Sequence, residues 1–147
     1  MKIVICGSIA FYPKMLAVKE NLETLGHEVI LPPTEVKDES GNFISVEKYY
    51  EIRKTAGDEE KWVWDRKSEL VHNYFTEIKE SDVILVLNHD KNGVVGYIGG
   101  NTLMEMGIAF FLNKKIFLLN LVPDIAYKEE ILAMRPIVID GDLSKII

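Results

Sequence analysis

Short runs of β-branched and aliphatic residues, each closed by a small or polar residue and followed by a stretch of helical period, limit this chain to very few folds. Residues 3–6 form the first run, ending at Gly7, and read as a strand buried on both faces. Pro13 suits a first helical turn, and Met15, Val18, Leu22 and Leu25 follow at helical spacing until Gly26 supplies a stop. Residues 27–31 are a second strand, closed by Pro32 and Pro33. Strand, helix and strand within roughly 30 residues make a βαβ unit, which implies a parallel sheet and a right-handed crossover.

The alternation resumes further on. Leu70, Val71, Tyr74, Phe75 and Ile78 give an apolar face to a helix ending near Ser81, and residues 83–87 are a third strand. A polar and glycine-rich loop leads to a helix over about 101–112, a strand over 115–119, a short helix over 127–134 and a fifth strand over 136–139. The expected fold is α/β: an open, doubly wound, flavodoxin-like sheet of about five mainly parallel strands with helices on both faces. The 147 residues suit one domain with one core. Residues 34–60 are the exception, polar and charged, and read as an inserted helical or irregular segment. Tyr49, Tyr50, Trp62 and Trp64 cluster within and just after it and suggest an oligomer contact. The blander reading is an excursion covering a sheet edge.

Charge narrows the function. Seventeen basic and 23 acidic residues leave a net charge of −6, without the basic footprint of a nucleic-acid polymer binder. A small nucleotide held by helix ends and amides stays open. The single cysteine, Cys6, forms no internal disulfide and no Cys-rich zinc site, and His27, His72 and His89 are scattered. The opening apolar run is shorter than a signal core, and no stretch approaches the roughly 18 apolar residues that span a bilayer. The expectation is a cytoplasmic protein without metal or cofactor.

In a doubly wound sheet, ligands bind beyond the carboxyl ends of the strands, at the switch in strand order. Gly7 and Ser8, Asn88 with His89 and Asp90, and Asn120 follow strands one, three and four and share that rim. Taken singly, each is ordinary turn chemistry. The helix after the glycine-rich loop is apolar nearly all round, which reads as buried, and its only ionisable residue is Glu105. A lone carboxylate there is costly unless its charge is stabilised, and a place in the first helical turn would supply part of that. Gly99 and Gly100 let the preceding backbone approach a ligand closely. Against this, Thr102 and Glu105 have the spacing of a capping box, and Asn101 is a good N-cap residue.

Three segments carry a family resemblance: Ile-Cys-Gly-Ser-Ile at residues 5–9, Glu-Ser-Asp-Val-Ile-Leu-Val at 80–86, and Gly-Asn-Thr-Leu-Met-Glu-Met-Gly-Ile-Ala at 100–109, followed by Asn-Lys-Lys-Ile. Their order and spacing resemble the nucleoside 2-deoxyribosyltransferase superfamily, which includes the 2′-deoxynucleoside 5′-phosphate N-hydrolases. The resemblance implies that Glu105 is a nucleophile toward the anomeric carbon of a (deoxy)ribosyl group, forming a glycosyl ester resolved by water or a second base. It implies substrate binding by Gly7 and Ser8 and by Gly99, Gly100, Asn101 and Thr102. Asn88 and Asp90 are expected to hydrogen-bond the base or assist its departure, with Asp90 the catalytic candidate, and Asn120 is expected to bind substrate on the same rim. A homo-oligomer, a dimer or higher, is implied too. Two departures stand out. The hydrolase branch carries an aspartate where this chain has Tyr74, beside Asn73, and a phosphate-binding serine where it has Gly99. The same scaffold without that chemistry would be a nucleotide or nucleotide-sugar sensor.

Overall fold

A computed structural model describes all of residues 1–147. The chain divides into two compact units, residues 1–31 with 77–147, and residues 32–76.

The first unit contains β1 (Lys2–Cys6), α1 (Tyr12–Thr24) and β2 (Glu28–Ile30). The helix stops where expected: Gly26 takes φ +87°, and the His27 amide donates to the Leu22 carbonyl at 3.1 Å. After the second unit come β5 (Val83–Val86), α4 (Gly100–Phe111), β6 (Lys115–Leu118), α5 (Lys128–Ala133) and β7 (Ile137–Val138). All four pairings in the order β2-β1-β5-β6-β7 are parallel. This is the flavodoxin-like order, in which the chain reverses its winding between β1 and β5. The sequence places every one of these strands, within a residue or two at each end.

Strand periodicity sorts the core into two faces. Ile3 and Ile5, Val83, Leu85 and Leu87, and Phe117 and Leu119 pack with Phe11, Met15 and Leu22 from the α1 segment. The alternate residues, including Val4, Cys6, Ile84 and Val86, are equally buried and point the other way. There α4 lies against β5 and β6.

Two expectations about α4 are corrected. The helix buries only one stripe, Thr102, Glu105, Met106 and Ala109, while Met104, Phe110 and Phe111 are exposed. Its apolar outer face therefore reports no burial within this chain. It also begins at Gly100, with Gly99 as N-cap and no side-chain cap, so Glu105 is its sixth residue and lies beyond the first turn.

In the second unit, the segment expected as helical or irregular holds an antiparallel hairpin as well as a helix: β3 (Glu35–Lys37), β4 (Phe43–Ser45) and α2 (Val46–Thr55). Asp38 accepts from the amides of Ser40 and Asn42, each at 2.9 Å, and so closes the turn, while Ser45 caps α2 through the Lys48 amide at 3.1 Å. The helix α3 (Lys61–Glu80) follows, and the unit boundary falls within it. Val36, Tyr49 and Val63 form a small core, with Trp62 packed against it and the Tyr49 hydroxyl donating to the Val63 carbonyl. Tyr49 and Trp62, which suggested an oligomer contact, thus serve this unit's own interior. Tyr50 and Trp64 are the more exposed pair.

Candidate functional site

The carboxyl ends of the strands gather the residues singled out by sequence, and they fall into three groups.

The first group surrounds Glu105. Its side chain is on the buried stripe of α4, and the residue is only 6% exposed. Its Oε1 accepts from Asn101 Nδ2 at 2.9 Å, one turn earlier. Asn101 is therefore a carboxylate donor and not an N-cap, and Glu105 does not close a capping box. Cys6, at the end of β1, is fully buried and hydrogen-bonds the same carboxylate; burial first, then the Glu105 charge and that bond, push its thiol well above the ordinary range. A protonated thiol is thus a donor to Glu105. Gly99 and Gly100 open the helix, and the Gly99 carbonyl receives the Leu103 amide at 2.9 Å. A side chain at Gly100 would meet nothing within 4 Å, whereas one at Gly99 would meet the Tyr97 hydroxyl at 3.0 Å. Thr102 is buried on the same stripe as Glu105.

The second group joins the ends of β5 and β6. Asn88 is 0% exposed, and its amide is engaged by backbone: Nδ2 donates to the Asn120 and Leu121 carbonyls at 3.2 and 2.9 Å, and Oδ1 accepts from the Asn120 amide at 2.9 Å. Asn120 answers by donating Nδ2 to the Asn88 carbonyl at 3.1 Å. This reciprocal clasp fixes the spacing of the two strand ends and accounts for the burial of Asn88 without a ligand.

The third group follows β1 and β5. Gly7 is demanded by close packing, since a Cβ there would sit 2.9 Å from the Leu87 carbonyl oxygen and 3.1 Å from Met15 Cε. Ser8 Oγ receives Lys91 Nζ at 2.8 Å, and the same ammonium lies 5.1 Å from the centre of the Tyr97 ring. Lys91 is held there by a tight turn, with Asn92 and Gly93 at φ 53° and 74°. Asp90 Oδ1 accepts from the Gly96 amide at 3.0 Å, and the His89 carbonyl accepts the Tyr97 amide at 3.0 Å.

A cavity of about 470 Å³ opens beside this third group, with Lys14, His89, Asp90, Asn120 and Asp140 as its polar lining. Glu105 is not among its walls. Asp90 therefore stands with the cavity rather than with Glu105. His89 packs edge-on against Phe11, with ring centroids 5.2 Å apart at 76°. Burial, and then the Lys14 charge, push the His89 imidazole below its ordinary value, with Asp90 opposing, and its buried Nε2 has no hydrogen-bond partner.

Sequence reasoning missed Lys14, Lys91 and Asp140. For Asp140 the signal was present: it follows the fifth strand, as Asn88 and Asn120 follow the third and fourth. Lys14 and Lys91 announce themselves only through the turns that bring them to the rim. No group of three or more His, Cys, Asp or Glu side chains is arranged to hold a metal, and no helix is long and apolar enough to cross a membrane.

No protein-family model matches the chain, and no curated protein matches it by sequence. Among solved structures it is similar to the CMP N-glycosidase of Clostridium botulinum, with a TM-score of 0.51 at 16% identity, over 95% of this chain and 90% of that one. A 2-deoxyribosyltransferase from Bacillus psychrosaccharolyticus follows at TM-score 0.46 and 18% identity, over 80% of this chain and 71% of that one. A conserved protein from Enterococcus faecalis V583 matches at 0.47 and 18%, over 82% and 63%. At these identities the likeness is one of fold.

Proposed function

We propose that the protein acts on the N-glycosidic bond of a nucleoside or nucleotide, cleaving it or transferring its (deoxy)ribosyl group, with Glu105 as nucleophile. The observation that carries this is the state of Glu105: a buried carboxylate on an otherwise apolar helix, beyond its first turn and supported by Asn101 and Cys6. Such a group is costly for stability and is retained where its charge is used. In the proposed step a Glu105 oxygen bonds to C1′ as the C1′–N bond breaks, and the pair of that bond leaves with the base, which takes a proton from solvent. Water or a second base then attacks C1′ and releases the carboxylate. A CMP N-glycosidase is built on a similar fold, which places such chemistry within its range, although fold alone does not select it. Thr102 shares the buried stripe of α4 with Glu105, and Gly99 and Gly100 open that helix, where the sugar would be held. The clasp of Asn88 and Asn120 supports the rim near the base. Self-association and a reducing, cytoplasmic setting belong to the same proposal and rest on the resemblance and on the single unpaired Cys6.

One observation favours a second reading, a binding module: the cavity is walled by His89, Asp90 and Asn120 and not by Glu105. Incubation with nucleosides, deoxynucleosides and their monophosphates, with free base followed by chromatography, separates the two. Base release that disappears in Glu105→Gln supports the enzyme. Ligand binding without release, surviving that substitution, supports the module.

A further inference from the structure

Away from the cavity and from Glu105, one turn carries chemistry that the proposed reaction does not use. Lys91 and Val94 pair across it, the Lys91 amide donating to the Val94 carbonyl at 3.1 Å and the Val94 amide to the Lys91 carbonyl at 2.9 Å. The two residues between them, Asn92 and Gly93, are exposed and left-handed, with φ 53° and 74°. The Asn92 carboxamide makes no hydrogen bond, and neither does the Gly93 amide. An amide nitrogen without an acceptor, beside an unpaired carboxamide and unshielded by a side chain of its own, is an internal nucleophile in waiting.

Nowhere else does the chain combine these features. Of its eight asparagines only Asn92 precedes a glycine. Asn21 and Asn73 lie inside α1 and α3, where the following amide is spent on the helix, and Asn88, Asn101 and Asn120 have bonded carboxamides. Asp140 and Gly141 form the nearest counterpart, left-handed at φ 51° and 77°. There the Gly141 amide donates to the Leu119 carbonyl at 2.8 Å, and that bond takes the nucleophile away.

We propose that Asn92 is a site of spontaneous modification, deamidating to an aspartyl or isoaspartyl residue whose carboxylate draws Lys91 off Ser8. The Gly93 nitrogen, its proton lost to hydroxide, attacks Asn92 Cγ. The bond from Cγ to the carboxamide nitrogen breaks, and ammonia departs with a proton from water, leaving a five-membered imide. Water then opens the imide. Attack at Cγ gives aspartate, whereas attack at the Asn92 main-chain carbonyl carbon gives an isoaspartyl link with one extra carbon in the chain. Nothing is oxidised or reduced. The turn has to open for the ring to close, and only two surface hydrogen bonds pair its ends. Either product sets a new carboxylate beside Lys91, whose ammonium now donates to Ser8 Oγ at 2.8 Å and lies 5.1 Å from the centre of the Tyr97 ring. The lengthened isoaspartyl chain also breaks the two-residue turn that holds Lys91 in place.

The test is to hold the full chain at pH 8.5 and 37 °C, locating deamidation and isoaspartyl links by fragmentation mass spectrometry and comparing amide spectra of fresh and aged protein. Asn92 is expected to convert at least tenfold faster than any other asparagine, with Asp140 left unisomerised. Asn92→Gln, whose attack would need a six-membered ring, is expected to abolish the fast phase. The Ser8 and Tyr97 resonances are expected to move on ageing and in Asn92→Asp. The proposal is overturned if Asn92 converts no faster than the other asparagines, or if Asp140 isomerises as fast. It is equally overturned if the fast phase survives in Asn92→Gln, or if Ser8 and Tyr97 keep their resonances once Asn92 has converted.

Discussion

Replacing Glu105 by glutamine separates catalysis from architecture, because the two roles predict opposite signs. Glutamine keeps an oxygen that can accept from Asn101 Nδ2, now at 2.9 Å, and the Cys6 thiol can still donate to it. What it removes is a charge on a residue only 6% exposed. Stability should therefore be unchanged or higher, with each kcal/mol gained raising Tm by about 2–4 °C in a chain of this size. Alanine should behave differently. It leaves a void of roughly 50 Å³, costing about 1 kcal/mol, and forfeits hydrogen bonds worth about 1 kcal/mol each. Base release should fall at least about a thousandfold in both variants, equivalent to ~4 kcal/mol of transition-state stabilisation. Thermal melting and chromatographic assay of free base read the two effects on the same samples. Glutamine that melts well below the parent, or that keeps base release within tenfold, would refute the assignment: the carboxylate would then be structural.

Asn88→Ala should cost about 3 kcal/mol, since three side-chain hydrogen bonds to the end of β6 are lost in a fully buried place; chemical denaturation should show a lowered midpoint with unchanged slope. Gly7→Ala should destabilise by about 1–3 kcal/mol, because Met15 can move aside but the Leu87 carbonyl, 2.9 Å from the new carbon, is fixed in the strand end. Cys6, buried and with its thiol pushed up, should resist a thiol reagent at pH 8 in the native protein and react promptly in denaturant. Fast native labelling would show that the end of β1 opens.

The central sheet could be read from the chain because buried parallel strands are continuous apolar runs, whose punctuation by Gly26, Pro32 and the strand-end asparagines is local. The hairpin in residues 32–76 escaped for the opposite reason. Its strands are three residues each, with one buried side chain, Val36, between them, too little for a period-two pattern to stand out. Around Glu105 the sequence exposed the anomaly, a single charge in an apolar helix, but not its surroundings. Helix start depends on backbone conformation at Gly99, which no side chain there announces, so the capping box and the first-turn placement were both plausible by spacing. The partnership of Cys6 with Glu105 is a tertiary contact, invisible in either segment alone. Asn88 was legible as a polar residue after a strand, but its bonds to the Asn120 and Leu121 backbone join two strand ends and show in neither segment alone.

The most direct measurement is a trapping experiment with a 2-deoxy-2-fluoro nucleoside. The fluorine disfavours the cationic sugar in both steps, so an ester formed on the protein is hydrolysed slowly. If Glu105 attacks the anomeric carbon, mass spectrometry should find one fluorinated pentosyl group, confined to the peptide containing Glu105 and missing from Glu105→Gln. Base release with no such adduct, or an adduct on another residue such as Asp90, would remove Glu105 from the chemistry.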